Sequence, residues 1–221
     1  MTWAKHLFSF YSNLHPPTLP PGISWLLPHI NADVQCIMKT FYNKFYNDQE
    51  QRTIVLGINP GRFGAGITGV NFTAARQLFN NCGIKHPFQE RSELSAEFIY
   101  EVIELYGGPK KFYHSFFIGS VCPLGLVQEG KNINYYDDKH LSQKLQPFIV
   151  ESLNQLLSFG HYNERCICIG GEKNYKSLRS LNDKHQWFES IDTVPHPRFI
   201  MQYRRKQKTE YLQAYIDTLN V

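Results

Sequence analysis

The 221-residue chain lacks the long apolar runs, paired cysteines and low-complexity linkers that mark several protein classes. No apolar segment approaches the ~20 residues that a helix needs to cross a bilayer, which excludes a membrane-spanning helix. The five cysteines include no CxxC pair, and their odd number without an apolar signal segment predicts buried free thiols in a reducing cytoplasm. We therefore expect a cytoplasmic protein without a metal site.

Three common signatures of nucleotide-binding and hydrolytic enzymes are also missing. The glycine-rich stretch 61–66 does not follow a Gly-x-Gly element that opens a helix, so it is not a dinucleotide fingerprint. The lysine of a phosphate-binding P-loop is absent, and no G-x-S-x-G nucleophile elbow occurs. An enzyme that acts on free nucleotides or nucleosides through the glycine-rich loop stays open only as a minor alternative.

The elements that the sequence does contain predict an α/β fold. A composition of 42% hydrophobic and 14% aromatic residues suits one compact domain over residues 1–221, on which residues 1–50 pack as a helical extension. Periodicity predicts helices over 3–13, 34–47, 73–81, 95–106, 138–158, 172–181 and 207–219, with Asp33 and Thr73 as N-caps. Strands are predicted over 53–57, 112–119, 166–169 and 190–194. Alternating strands and helices indicate a three-layer α/β/α sandwich with a central, mostly parallel sheet.

Two predicted strands run directly into loops that carry uncharged polar groups. The run 54–56 ends in Gly57-Ile58-Asn59-Pro60-Gly61, and the last strand ends in Pro195-His196-Pro197. Because the carboxyl ends of parallel strands meet at one edge of a sheet, we expect Asn59 and His196 to lie close together. Asn59 offers an amide that orients a water or a ligand, but it cannot take a proton as a carboxylate would.

Basic residues cluster near the C-terminus. The chain carries 23 basic and 19 acidic residues, a net charge of +4, and the cluster comprises Arg198, Arg204, Arg205, Lys206 and Lys208. Such a cluster binds phosphates in some proteins, whereas in others it is only the solvated start of a helix. Composition alone favours the second interpretation.

The loop at Asn59 resembles motif one of the uracil-DNA glycosylase superfamily, closest to its single-strand-selective monofunctional (SMUG-like) branch. That branch reads G-M-N-P-G-P-F-G and then T-G-V-P-F, where this chain has residues 57–64 and Thr68-Gly69-Val70-Asn71-Phe72. Pro195-His196-Pro197 resembles motif two, H-P-S-P. Cys122-Pro123-Leu124 and residues 130–132 resemble the C-P-L and G-R-N segments of the branch.

The resemblance implies a role for each matching residue. Asn59 would hold the water that attacks the deoxyribose anomeric carbon, and His196 would stabilise the negative charge that develops on the leaving base. Phe72 would stack on the flipped base. The pocket would be lined by Ile58, Gly61, Phe63, Gly64 and Ala65. With this context, phosphate contact becomes the favoured interpretation of the basic cluster, and Pro197, Arg198, Phe199, Arg204, Arg205 and Lys206 become the expected DNA-binding residues.

Two departures from the family pattern bear on substrate and on DNA contact. The family has an asparagine before C-P-L that reads the pyrimidine edge, and this chain has Ser120 there. A hydroxyl rotates and can donate or accept, so xanthine and hypoxanthine stay open beside uracil. Motif two lacks its second proline, and Arg198 or Phe199 is expected to enter the gap left by the flipped nucleotide.

The sequence thus predicts a monofunctional DNA glycosylase of base excision repair. It would hydrolyse the N-glycosidic bond of a deaminated base, in single- or double-stranded DNA, without a cofactor or metal. We expect a monomer, since a DNA-scanning enzyme needs one exposed basic face. The alternative is a catalytically inactive nucleic-acid-binding protein of the same fold.

Overall fold

The computed structural model describes residues 1–91 and 93–220, in which helices and strands alternate along much of the chain. The helices are α1 (Trp3–Ser12), α2 (Ala32–Phe45), α3 (Ala65–Thr68), α4 (Ala75–Asn80), α5 (Leu94–Tyr106), α6 (Pro109–Ser115), α7 (Lys139–Leu157), α8 (Gly171–His185), α9 (Pro197–Tyr203) and α10 (Lys208–Leu219), with 3-10 turns at Pro28–Ile30 and Arg205–Gln207. The strands are β1 (Ile23–Leu26), β2 (Arg52–Gly57), β3 (Phe116–Ser120), β4 (Gly125–Gln128), β5 (Lys131–Ile133), β6 (His161–Ile169) and β7 (Ser190–Val194). Within these ranges no helix is both long enough and apolar enough to cross a membrane.

Four parallel strands form the central sheet in the order β3-β2-β6-β7. Successive side chains of a strand face opposite sides of the sheet, and both sides are covered. On one side Phe117 stacks on Trp3 of α1, with ring centroids 5.5 Å apart. On the other side Ile118 shares a small void with Ile99 of α5 and Tyr215 of α10. The α/β sandwich predicted from the sequence is therefore confirmed.

A second, three-stranded antiparallel sheet was not expected from the sequence. Its order is β1-β4-β5, and its strands are only three or four residues long. Gly125 begins β4 beside the carbonyl of Pro60, and a Cβ at position 125 would lie 2.3 Å from that oxygen. The small sheet therefore packs directly against the loop that follows β2.

Three local predictions about element boundaries were wrong. Residues 112–115 belong to helix α6, because Gly108 turns the backbone at φ +89° and Pro109 occupies the first helical turn. The N-cap of α2 is Asn31, whose Oδ1 accepts from the amides of Asp33 and Val34, so Asp33 is not the cap. Thr73 does not cap α4 either, since its hydroxyl lies near the carbonyl of Asn71.

The N-terminal helices share one hydrophobic cluster with the sheet. Trp3 is fully buried, and it packs with Tyr46 around the Arg52 guanidinium, 5.4 and 5.0 Å from the two ring centroids. Arg52 is itself fully buried and pairs with Asp48 at 2.8 Å. Cys36 on α2 is exposed, which corrects the expectation that all five thiols are buried. The treatment of residues 1–221 as one domain stays a prediction.

Candidate active site

A cavity of about 370 Å³ opens at the carboxyl edge of the parallel sheet. This volume lies in the range of pockets that hold small molecules. The loops after β2, β3 and β7 supply its walls, as expected for an α/β sheet. The predicted site residues that line it are Ile58, Asn59, Gly61, Gly64, Ala65, Phe72, Ser120, His196, Arg198 and Phe199.

The Asn59 side chain is held in a single orientation by backbone groups at the end of β5 and just after it. Its Oδ1 accepts from the Tyr135 amide at 3.1 Å, and its Nδ2 donates to the Ile133 carbonyl at 3.2 Å. A backbone N–H on one side and a carbonyl on the other leave no doubt which amide atom is oxygen. One hydrogen of Nδ2 and one lone pair of Oδ1 remain for a ligand in the cavity.

His196 is the N-cap of α9, a helix where the sequence predicted a loop. Its Nδ1 accepts from the Arg198 amide at 3.1 Å, so the neutral ring carries its proton on Nε2. Burial, and then the charge of Arg198, lowers the pKa of His196 to about 4. At neutral pH the side chain is therefore an uncharged donor. The Tyr215 hydroxyl bonds to the Pro195 carbonyl and fixes the preceding turn.

Phe72 adopts a left-handed backbone conformation, with φ +51°, that is rare for an aromatic residue. The buried Thr68 holds this turn, because its hydroxyl donates to the Thr73 carbonyl at 2.6 Å. The Phe72 ring lies across the end of β2, where a Cβ at Gly57 would be 2.6 Å from it. Its centroid is 6.3 Å from that of His196. Strained residues of this kind cluster at ligand sites, which supports a functional role for Phe72.

Ser120 ends β3 and lies at the wall of the cavity, paired in register with Gly57 of β2. Beyond that pair, the Val121 amide donates to the Gly57 carbonyl at 2.9 Å, so the two strands stay together past their ends. The Ser120 hydroxyl donates to Asn71 Oδ1 at 2.9 Å. Asn71 also lines the cavity, and it stands where the SMUG-like pattern has proline.

Aromatic and basic side chains surround the mouth of the cavity. Phe199 and Tyr203 are exposed, and their ring centroids are 5.8 Å apart. The Arg204 guanidinium lies 5.5 Å from the Phe199 centroid. Phe63 does not line the cavity; it is 36% exposed, with the Arg62 guanidinium 4.4 Å from its centroid.

The remaining predicted DNA-binding residues differ in accessibility. Arg205 and Lys206 are exposed on the 3-10 turn after α9. Pro197 is buried, where it starts α9. Lys208 of the basic cluster pairs with Glu101 at 2.7 Å, which reduces the charge it offers to an outside partner.

Sequence reasoning gave no role to Asn71, Glu93 or Asn134, which also line the cavity. Glu93 accepts from the Ala96 amide at 2.6 Å and caps α5. No motif in the sequence marks Glu93, since glutamate is not among the favoured N-cap residues. The only sign of Asn71 in the sequence is that it replaces the proline of the SMUG-like pattern T-G-V-P-F.

Comparison with known proteins agrees with the motif resemblance. A family model described as the uracil DNA glycosylase superfamily matches residues 43–220. The chain is also similar to the crystal structure of wild-type Pedobacter heparinus SMUG2, with a TM-score of 0.95 and 38% sequence identity. The match covers 100% of this chain and 97% of that one. A search of curated proteins found no match.

Proposed function

Because the chain belongs to the uracil-DNA glycosylase superfamily, in its SMUG-like branch, we propose that it excises deaminated bases from DNA. Uracil would be the main substrate, with xanthine and hypoxanthine open beside it, and the product would be an abasic site that enters base excision repair. One observation carries the proposal. The amide of Asn59 and the imidazole of His196 line one cavity, and backbone hydrogen bonds hold each in a defined orientation.

The proposed role of His196 is to stabilise the leaving base. Cleavage of an N-glycosidic bond leaves negative charge on the base, chiefly on a carbonyl oxygen. A neutral imidazole with its proton on Nε2 donates to that oxygen, and it does so more strongly as charge develops. The donor needs no reorganisation, because the Arg198 amide already holds Nδ1.

Asn59 would position the water that attacks the anomeric carbon. The two bonds to the Ile133 carbonyl and the Tyr135 amide leave a donor and an acceptor of the same amide for that water. An amide is a poor base, so its contribution is orientation. We assign most of the rate enhancement to charge stabilisation. The water would form its bond to the anomeric carbon as the bond to the base breaks, and its proton would end on the released base anion.

Phe72 and the mouth of the cavity would hold the flipped nucleotide and its DNA. Unstacking a base costs a few kcal/mol, and an aromatic face recovers about 1–3 kcal/mol of that cost. Arg198 or Phe199 would enter the gap that the flipped nucleotide leaves in the DNA, while Arg204 and its exposed basic neighbours would contact phosphates. No lysine is among the described residues that line the cavity, which favours hydrolysis over a Schiff-base route.

A panel of oligonucleotides tests the proposal and separates it from the alternatives. Each would carry uracil, xanthine, hypoxanthine or no lesion, in single and double strands, and abasic sites would be revealed by alkali. We expect strand breaks only with lesion-containing DNA. DNA binding without abasic sites would instead indicate the inactive nucleic-acid-binding protein. Turnover of free nucleosides would indicate the nucleoside enzyme. The monomeric state and the cytoplasmic location stay predictions.

The low pKa of His196 predicts a pH dependence of stability. In the unfolded chain this histidine gains a proton near pH 6.5, whereas in the folded protein it does so near pH 4. The unfolded state therefore binds more protons between these values, and the free energy of unfolding falls as pH drops from about 6.5 toward 4. His196→Asn keeps an N-cap residue but removes the titration.

Chemical denaturation of both proteins at pH 7.5 and 4.5 measures this contribution. We expect the wild type to lose about 2–3 kcal/mol more than His196→Asn between the two pH values. Equal losses would show that the pKa of His196 is not lowered.

A further inference from the structure

Exposed aromatic side chains are concentrated around the mouth of the cavity. Among the described residues five aromatic side chains are exposed. Two of them, Phe199 and Tyr203, line the cavity on the side that follows β7. A third, Phe63, stands on the loop after β2 between Gly61 and Gly64, which both line the cavity. Single exposed aromatic side chains are ordinary, but a group of them at one opening indicates a surface that contacts a partner.

The guanidinium of Arg62 lies over the exposed ring of Phe63 and ties the loop after β2 to the small sheet. It is 4.4 Å from the ring centroid, and its Nη1 donates to the Gly130 carbonyl in the turn between β4 and β5. The Arg62 amide donates to Asn132 Oδ1 of β5 at 3.2 Å. These contacts fix the pair before any ligand arrives. Arg62 stands where the SMUG-like pattern G-M-N-P-G-P-F-G has proline, so this guanidinium is a departure of the chain from that pattern.

A second pair of this kind follows β7, where the Arg204 guanidinium lies 5.5 Å from the Phe199 centroid. In the central sheet only β6 separates β2 from β7, so the ends of these two strands lie about 10 Å apart. Residues of both loops line the one cavity. A nucleotide flipped into it would therefore have an arginine–aromatic pair near two of its sides.

The pair formed by Arg62 and Phe63 suits an unpaired base better than a phosphate. Every nucleobase has a flat π-face, and stacking on aromatic side chains is how proteins hold single-stranded DNA without reading its sequence. The planar guanidinium of arginine adds to such stacking. Part of the guanidinium edge, which would otherwise fork onto a phosphate, already donates to the Gly130 carbonyl. Glu129 and Lys131, on either side of Gly130, are both exposed and offset each other's charge.

We propose that Arg62 and Phe63 form a stacking platform for an unpaired base that neighbours the flipped nucleotide. This inference rests on the proposed glycosylase function, because that function brings DNA to the cavity. It concerns a neighbour of the damaged base and not the damaged base itself. In a duplex that neighbour stays paired within the helix, so the platform would hold single-stranded DNA more tightly than duplex DNA.

Base omission combined with substitution of Phe63 tests the platform. The ligands are labelled single-stranded oligonucleotides with a stable abasic-site analogue at the centre, and in two of them the base on its 5′ or its 3′ side is omitted as well. Fluorescence anisotropy gives the dissociation constants. We expect Phe63→Ala to weaken binding about tenfold when both neighbouring bases are present. When the base that stacks on the platform is omitted, the same substitution should weaken binding less than twofold.

Three variants and a duplex control this measurement. Phe63→Leu keeps apolar bulk but lacks the π-face, so it should lose affinity as Phe63→Ala does. Arg62→Lys keeps the charge but not the planar guanidinium, and it should also weaken binding. Phe79→Ala removes an exposed phenylalanine on α4 that does not line the cavity, and affinity should be unchanged. With the same abasic analogue in a duplex, Phe63→Ala should bind within twofold of the wild type.

The outcomes separate this inference from the proposed function. A wild type that excises no deaminated base would contradict the proposed function, and the binding measurements would still decide on the platform. A penalty of Phe63→Ala that persists when either neighbouring base is omitted would contradict the platform and, if strongly salt-dependent, would indicate phosphate contact. Wild-type affinity in Phe63→Ala, Phe63→Leu or Arg62→Lys would also contradict it. Melting temperatures identify a folding defect in Phe63→Ala, in which case Phe63→Leu replaces it with the same expectations.

Discussion

Replacement of His196 by alanine should lower the single-turnover rate of uracil excision about 100- to 1000-fold. Loss of one donor from a site that stabilises developing negative charge typically has this effect. The hydrogen bond from His196 Nε2 to the base would strengthen as the glycosidic bond breaks, so binding of the intact substrate should change much less than the rate. The rates would be measured with enzyme in excess over a uracil-containing oligonucleotide, and affinity by titration of a non-cleavable analogue.

Two variants control for effects on folding and on the assay. His140→Ala removes an exposed histidine on α7 and should leave the rate unchanged. His196→Asn retains the N-cap of α9 and so isolates the loss of the imidazole. A His196→Ala variant within tenfold of the wild-type rate would remove this residue from the mechanism.

Replacement of Asn59 by alanine should lower the same rate about 100-fold. Misplacing a reactant by about 1 Å costs this much, and alanine leaves the attacking water without its amide partner. The variant also loses the bonds to the Ile133 carbonyl and the Tyr135 amide, so some loosening of that segment is expected. A matching loss of DNA affinity would mean that the lower rate comes from the loosened segment and not from a misplaced water.

The two contributions are separated by measuring affinity for DNA with a stable abasic-site analogue. We expect the dissociation constant for this product-like DNA to change less than threefold in Asn59→Ala. Asn43→Ala, an exposed asparagine on α2, is the control for the assay. An unchanged rate in Asn59→Ala would rule out a role for this amide in holding the water.

Much of the site was predictable because it follows directly from strand ends. The apolar run before Gly57 indicates a buried strand, residues 190–194 were predicted as another strand, and parallel strands bring their carboxyl ends to one edge. The parallel topology alone was enough to predict that Asn59 and His196 lie in one cavity. The family motif added what topology lacks, namely a reason for an amide and an imidazole at those positions.

Other features depend on contacts that a sequence does not display. Residues 112–115 begin with the aromatic pair Phe112-Tyr113 and so resemble a strand, but the turn at Gly108 and the proline after it begin a helix there. The pairing of Asn71 with Tyr11 joins residues 60 positions apart, and neither shows a pattern that marks the other. The two hydrogen bonds that hold the Asn59 side chain come from backbone atoms at the end of β5 and just after it, and a backbone partner is not visible in residue identity.

The packing of Phe72 against Gly57 has an evolutionary consequence. An ideal Cβ at position 57 would come within 2.6 Å of the Phe72 ring, so the two positions cannot change independently. A substitution that adds a side chain at position 57 requires a smaller or differently oriented residue at position 72. That change would also alter the surface on which a base would stack. Gly57 therefore restricts which residues position 72 can carry, although Gly57 has no side chain that could contact a base.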